Sequence, residues 1–155
     1  MPDKMDTINY TLFNKLQNLV SFLTQANRGF HEIAEDVDCN NLKTALIALA
    51  VESRQYANEI SDRLLTINLQ IPHVFTDQLW EKIETNIYEQ ASPEKGGEIA
   101  ALCNNCEIYF AEFYNDVLNE PLPHKKFKDI IIYQLLATQC AFMKIRLLNT
   151  LRFNN

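Results

Sequence analysis

The sequence predicts an all-α fold, a single four-helix bundle with a long central crossover. Four separate stretches place apolar residues at alternating steps of three and four, the spacing of a heptad seam. The 155 residues include only three Gly and five Pro, too few for the tight turns of an all-β fold. Apolar residues make up 47% of the chain, enough for one domain with its own core. No domain linker or low-complexity segment interrupts it.

The first helix is predicted over about 7–38. Its seam is Leu12, Leu16, Leu19, Leu23, Ala26, Phe30, Ile33 and Val37, with Asp6 or Thr7 as N-cap. Gly29 lies inside it and permits close approach of a neighbouring helix, at a cost of about 1 kcal/mol relative to Ala. "DVDCNN" ends it, because Asp and Asn side chains compete for backbone hydrogen bonds.

The second helix, about 41–69, has the seam Leu42, Leu46, Leu49, Ser53, Tyr56, Ile60, Arg63 and Ile67. Leu64 covers the slip at Arg63. The two helices are joined by a very short connection, so they are expected to be antiparallel neighbours. Pro72 in "NLQIPHVF" then breaks the pattern. A shorter amphipathic helix is predicted over about 76–90, with Leu79, Trp80, Ile83 and Ile87 on one face.

Ser92 as N-cap and Pro93 at the first helical position open a third long helix, about 93–119. Its seam is Ile99, Cys103, Cys106, Phe110, Phe113 and Val117. After "NEPLPH" the fourth helix, about 124–152, carries Ile131, Leu135, Thr138, Phe142, Ile145 and Leu148. If helices two and three run parallel, the chain between them must travel the length of the bundle, about 40 Å. The segment 71–92 is long enough for that. Such a central connection characterises ferritin-like bundles, whereas simple up-down bundles use short turns throughout.

Charge and composition narrow the function. A net charge of −6 argues against binding a nucleic-acid backbone. Lys125, Lys126, Lys128, Lys144, Arg146 and Arg152 are spread around the fourth helix and read as a solvated face. "MPDKMDTINYTLFNKL" does not resemble a signal peptide, and no uninterrupted apolar run approaches the ~20 residues of a membrane span. A cytoplasmic protein without a membrane span is therefore expected, with its four cysteines as thiols.

The stretches "LQNLVSFLTQANRGFHEIAE", "SRQYANEI", "CEIYFAEFYNDVL", "LP" and "KIRLL", together with Trp80 and Gln134, cover nearly the whole chain, about 16–152. In this pattern the chain resembles a bacterial ferritin-like four-helix-bundle family of uncharacterised function. Glu59, Glu107 and Glu35 fall on acids of the family pattern. Other polar positions differ. Gln25 and Ala26 stand where the family has Asp-Gly, Asp77 where it has His, Asn104 where it has an acid, and Phe142 where it has His.

Ferritin-like di-iron proteins take a Glu from each of two helices and a Glu-x-x-His from each of the other two. The residues three before His31, His73 and His124 are Arg28, Gln70 and Pro121, so no Glu-x-x-His exists. The fourth helix has no Asp or Glu between Ile130 and Arg152. A di-iron site of the usual plan is not expected. The remaining metal candidates are Glu59 and Glu107, one position off the seams of helices two and three, and Glu52, one heptad before Glu59. Inward carboxylates need a cation, a proton or an Arg partner, and Arg54 and Arg63 are near enough in sequence. A buried polar network that sets the bundle's register is the competing role for the same residues. Glu35 falls opposite its seam and reads as surface.

Cys103 and Cys106 form a Cys-x-x-Cys on the seam of the third helix. They could bridge under oxidation, but burial raises a thiol's pKa and slows it. They read as small core fillers. A four-Cys zinc site is not expected, because Cys140 points outward and Cys39 sits at a helix end. No catalytic residue and no cofactor is predicted, with iron or another divalent metal as the alternative. The chain reads as a non-enzymatic oligomerisation or protein-interaction module. Tyr109, Tyr114, Ile132 and Phe153 lie beyond the seams and are expected to form an apolar face for a homodimer. The alternative is a metal-binding or oxidoreductase bundle with a reduced carboxylate site at Glu59 and Glu107.

Overall fold

The structure is a computed structural model and describes residues 10–66, 98–122 and 124–153. The expected N-cap at residue 6 or 7, the helix over 76–90 and the opening of the third helix at 92–93 lie outside those residues. Among the described residues there are four helices and no strand: α1 (Tyr10–Glu35), α2 (Asn40–Thr66), α3 (Glu98–Leu118) and α4 (Lys125–Phe153).

α1 stops three residues earlier than its seam predicts. The Asp36 and Val37 amides donate to the Ile33 and Ala34 carbonyls at 3.1 and 3.3 Å, a tightened last turn. Val37 still enters the core, although it lies beyond the helix. The Lys43 amide already reaches the Cys39 carbonyl at 2.9 Å, so α2 begins almost at once. At the far end, the Lys128 amide donates to the His124 carbonyl at 3.1 Å and opens α4.

Contacts between side chains fix the helix directions. Asn27 Nδ2 donates to the Ala50 carbonyl at 2.7 Å across α1 and α2. Lys15 pairs with Glu120 just past α3, while Phe22 stacks on Phe113 at 4.5 Å, so α1 and α3 are antiparallel. Tyr114 meets Gln134 and Glu107 meets Arg146, which makes α3 and α4 antiparallel. Glu59 meets Gln134 and Glu52 lies near Lys144, which does the same for α2 and α4. The helices therefore form a ring in the order α1, α2, α4, α3, with every neighbour antiparallel. α2 and α3, across the diagonal, point the same way. The chain joining them runs through residues outside the described set.

All eight predicted seam residues of α1 are buried. On α2, Leu64 is buried and Arg63 exposed, as the slip implies. Gly29 is buried on α1. Phe110 sits at the centre of an aromatic cluster, 4.8 Å from Phe22, 6.2 Å from Phe30 and 5.3 Å from Phe142. Phe30 and Phe142, at 6.0 Å, connect α1 to α4 across the other diagonal. Phe142 is an apolar core residue, fully buried.

Two expectations need correction. Tyr114 was expected on an exposed apolar face but is completely buried, because it stands one position from Phe113 and takes the more central place. Tyr109 and Ile132 are only half-exposed, and the side chain of Phe153 lies outside the described set. Second, α4 is centred differently. Leu135 and Leu148 are only partly buried, while Gln134 and Asn149 sit in the interior at 0% and 4% exposure. Among the described residues, Lys125–Leu151 is also long and apolar enough to cross a membrane by length and composition alone. Uninterrupted apolar runs conceal this, because Gln134, Gln139, Lys144 and Arg146 break the run. In the bundle, one side of α4 packs on α2 and α3.

Candidate functional site

The polar interior is built on α4. Gln134 is fully buried and bonds to two other helices. Its Oε1 accepts from the Tyr114 hydroxyl of α3 at 2.9 Å. Its Nε2 donates to Glu59 Oε2 at 3.2 Å and to the Tyr56 carbonyl at 3.4 Å, both on α2. The partners settle the orientation of the amide. A carboxylate and a carbonyl can only accept, so the amide nitrogen must face α2 and its oxygen must face the tyrosine. Gln55 Nε2 adds a longer bond to Glu59 Oε1 at 3.4 Å from the solvent side. The hydroxyls of Thr138 and Ser53 return to carbonyls four residues back on their own helices, at 2.7 and 2.8 Å.

Burial dominates the electrostatics at this level. It pushes the Tyr114 hydroxyl well above its ordinary pKa, with Tyr56 and Glu59 adding to the effect. Tyr56 is raised to about 12, first by burial and then by Glu52, Tyr133 and Glu59. Both phenols stay neutral and can donate.

Glu107 belongs to a second level. Arg146 Nη1 donates to its Oε1 at 2.7 Å, and the two side chains keep 27% and 33% of their exposure. The expected arginine partner, Arg54 or Arg63 on α2, is therefore replaced by one on α4. Both of the expected arginines are exposed. Arg146 in turn is not part of a solvated basic face.

Glu59 and Glu107 do not converge. Their α4 partners, Gln134 and Arg146, are twelve residues apart, about 18 Å along a helix. Glu52 is half-buried on the α2 side facing Lys144; burial raises its pKa and the lysine lowers it. The three candidate carboxylates thus have three different surroundings. Among the described residues, no group of three or more His, Cys, Asp or Glu is placed to hold a metal ion. Glu35 is exposed, as its position opposite the seam implies. Among the described residues, Glu59, Glu107 and Glu52 are not assembled into a di-iron centre.

Cys103 and Cys106 are buried thiols. Burial raises Cys103 to about 12, with Arg146 lowering it and Glu107 raising it by smaller amounts. Cys106 is pushed higher still, by burial and by its neighbour Cys103. Neither offers a thiolate near neutral pH. Cys140 is exposed, and Cys39 half-buried at the start of α2. His31 is half-buried on α1 and His124 exposed before α4.

Asn149 ends the interior polar line of α4. Its Oδ1 is buried with no hydrogen-bond partner among the described residues. Sequence spacing sets Gln134 one position off the seam of α4 and leaves Asn149 out, because the neighbouring Leu135 and Leu148 take the seam positions. The signal that could have placed them is the line Phe127, Ile131, Gln134, Thr138, Phe142, Ile145, Asn149, itself stepped by threes and fours.

Compared with known proteins, the chain matches no family model, no curated protein and no solved structure.

Proposed function

We propose that the chain is a ferritin-like bundle without a working di-iron site, acting as a protein-interaction or oligomerisation module and not as an enzyme. The antiparallel ring with α2 and α3 pointing the same way supports the ferritin-like arrangement. One observation carries the functional reading. The two carboxylates at the resembled family's acid positions are engaged at separate levels, Glu59 with Gln134 and Glu107 with Arg146. The Glu59 contact ties α2 to the buried Gln134 of α4, the Glu107 contact is a half-exposed ion pair, and neither carboxylate offers its oxygens to a point shared with the other. A buried polar group used in this way stabilises one alignment of helices over others that slip by a turn.

The competing metal-binding reading needs Glu59 and Glu107 at one level. Metal analysis of protein purified without chelators tests the choice. Well under one equivalent of iron, manganese or zinc is expected, unchanged in Glu59→Ala. One or more equivalents per chain, lost in Glu59→Ala, would overturn the proposed reading.

A further inference from the structure

The outer side of α4 carries a second apolar stripe. Tyr133, Leu136, Met143, Leu147 and Leu151 are between 53% and 64% exposed. Exposed Cys140 lies among them. From Tyr133 through Leu136, Cys140 and Met143 to Leu147 the steps are three, four, three and four, a heptad seam facing away from the bundle. The inward stripe of the same helix is the more polar one, passing through Gln134, Thr138 and Asn149. A helix apolar on both sides is ordinarily covered on both sides.

The area fits a dimer. Five large side chains, each a little over half exposed, present on the order of 500 Å² of apolar surface. A standard interface takes about 800 Å² from each partner, and homodimer interfaces are roughly two-thirds apolar. Between α2 and α4 runs a groove of about 300 Å³ lined in part by Ala45, Ala48, Ala137 and Ala141, small enough to admit close approach. Among the exposed α4 residues from 133 to 151, Lys144 is the only charge, and Glu52 on α2 is its counter-charge. Little unpaired charge would therefore be desolvated.

We infer that the outer stripe of α4 binds the same stripe of a second copy of this chain, antiparallel, about a two-fold axis between positions 141 and 142. In that register Cys140 packs on the second copy's Met143, Leu136 on its Leu147, and Tyr133 on its Thr150 and Leu151. Small meets large in the central layer, and each contact occurs twice, as an isologous interface requires. Parallel pairing would set Cys140 on Cys140 and leave that layer underfilled. Antiparallel pairing also opposes the two helix dipoles. A membrane surface is the less favoured occupant. Interfacial helices carry Lys and Arg on the polar face to meet anionic lipid, whereas this face has one lysine on a chain of net charge −6.

The inference rests on reading the chain as an interaction module, but the two fail separately: metal content tests the one and oligomeric mass the other. Light scattering of the full chain at micromolar concentration is expected to give the dimer mass. Leu147→Glu is expected to weaken association by about 30-fold or more with helical circular dichroism retained. Should that variant not fold, Met143→Cys on a Cys39→Ser background supplies an independent reading. Mild oxidation is expected to link position 143 to the second copy's Cys140, with no link in the Met143 parent. A strict monomer overturns the inference. A dimer that survives Leu147→Glu unweakened and does not link through position 143 overturns it too. So does a monomer that sediments with phosphatidylcholine–phosphatidylserine vesicles, which would assign the stripe to a membrane.

Discussion

The two polar levels of α4 are built from the same material and differ in kind. At Gln134 the partners are neutral except for Glu59, the amide and phenol are fully buried, and three helices meet. At Arg146 a full ion pair bridges two helices with about a third of each side chain in water. Burying Gln134 requires that every lone pair and proton find a partner, and nearly every one does. The ion pair has no such requirement, since water reaches both ends. The dry level thus holds the helices in register through the penalty for leaving a group unpaired. The wet level contributes little beyond its charge.

The largest way to break this contrast is Gln134→Leu. It takes the Gln134 acceptor from the buried Tyr114 hydroxyl, leaving it only Thr138, and removes a donor from Glu59. A loss of about 3 kcal/mol in urea unfolding is expected, insensitive to salt. Adding Tyr114→Phe removes the stranded hydroxyl and is expected to restore about 1–2 kcal/mol, a coupling that a double-mutant cycle reads directly. Strict additivity of the two changes would mean that the bond does not set the level's stability.

Alkali separates the levels next. The folded pKa of Tyr56 is about 12, above the unfolded value near 10, so its contribution is intact below pH ~10 and is lost as pH rises toward the folded value. Cys103, also raised to about 12, begins to cost stability nearer pH ~9 because an unfolded thiol ionises there. Each group lowers unfolding free energy by about 1.4 kcal/mol per pH unit within its window. Urea midpoints across that range, read with phenolate absorbance, check this. Constant stability through pH ~11 would contradict it.

Much of the architecture was legible because every residue of one repeat, from Leu12 to Val37, is buried, with Phe13, Phe22 and Ala34 beside it. α4 was less legible. Its apolar residues occur on both sides, so periodicity alone cannot choose which stripe faces in. The inward stripe is decided by the partners waiting on other helices: Tyr114 and Glu59 for Gln134, Phe30 and Phe110 for Phe142. The same ambiguity hid the outer stripe and directed the expected dimer face to Tyr109, Tyr114, Ile132 and Phe153. At the candidate site, the identities of Glu59 and Glu107 were readable, but their separation was not. Distance between two helices depends on how each stands against a third, and no local spacing encodes that.

The smallest effect is expected at the wet level. Arg146→Met keeps most of the aliphatic stem over the helix surface and removes the charge, leaving Glu107 to water. The loss should stay below about 1 kcal/mol at low salt and fall toward zero as screening shortens the reach of the charges. The control is Gln134→Leu in the same salt series, whose cost should hardly move, because its main part is the stranding of the Tyr114 hydroxyl, a buried neutral group that salt does not screen. A cost of about 3 kcal/mol or more for Arg146→Met, unchanged by salt, would show a dry ion pair. Glu107 would then belong to the same kind of interior as Glu59, and the difference between the two levels would be one of position alone.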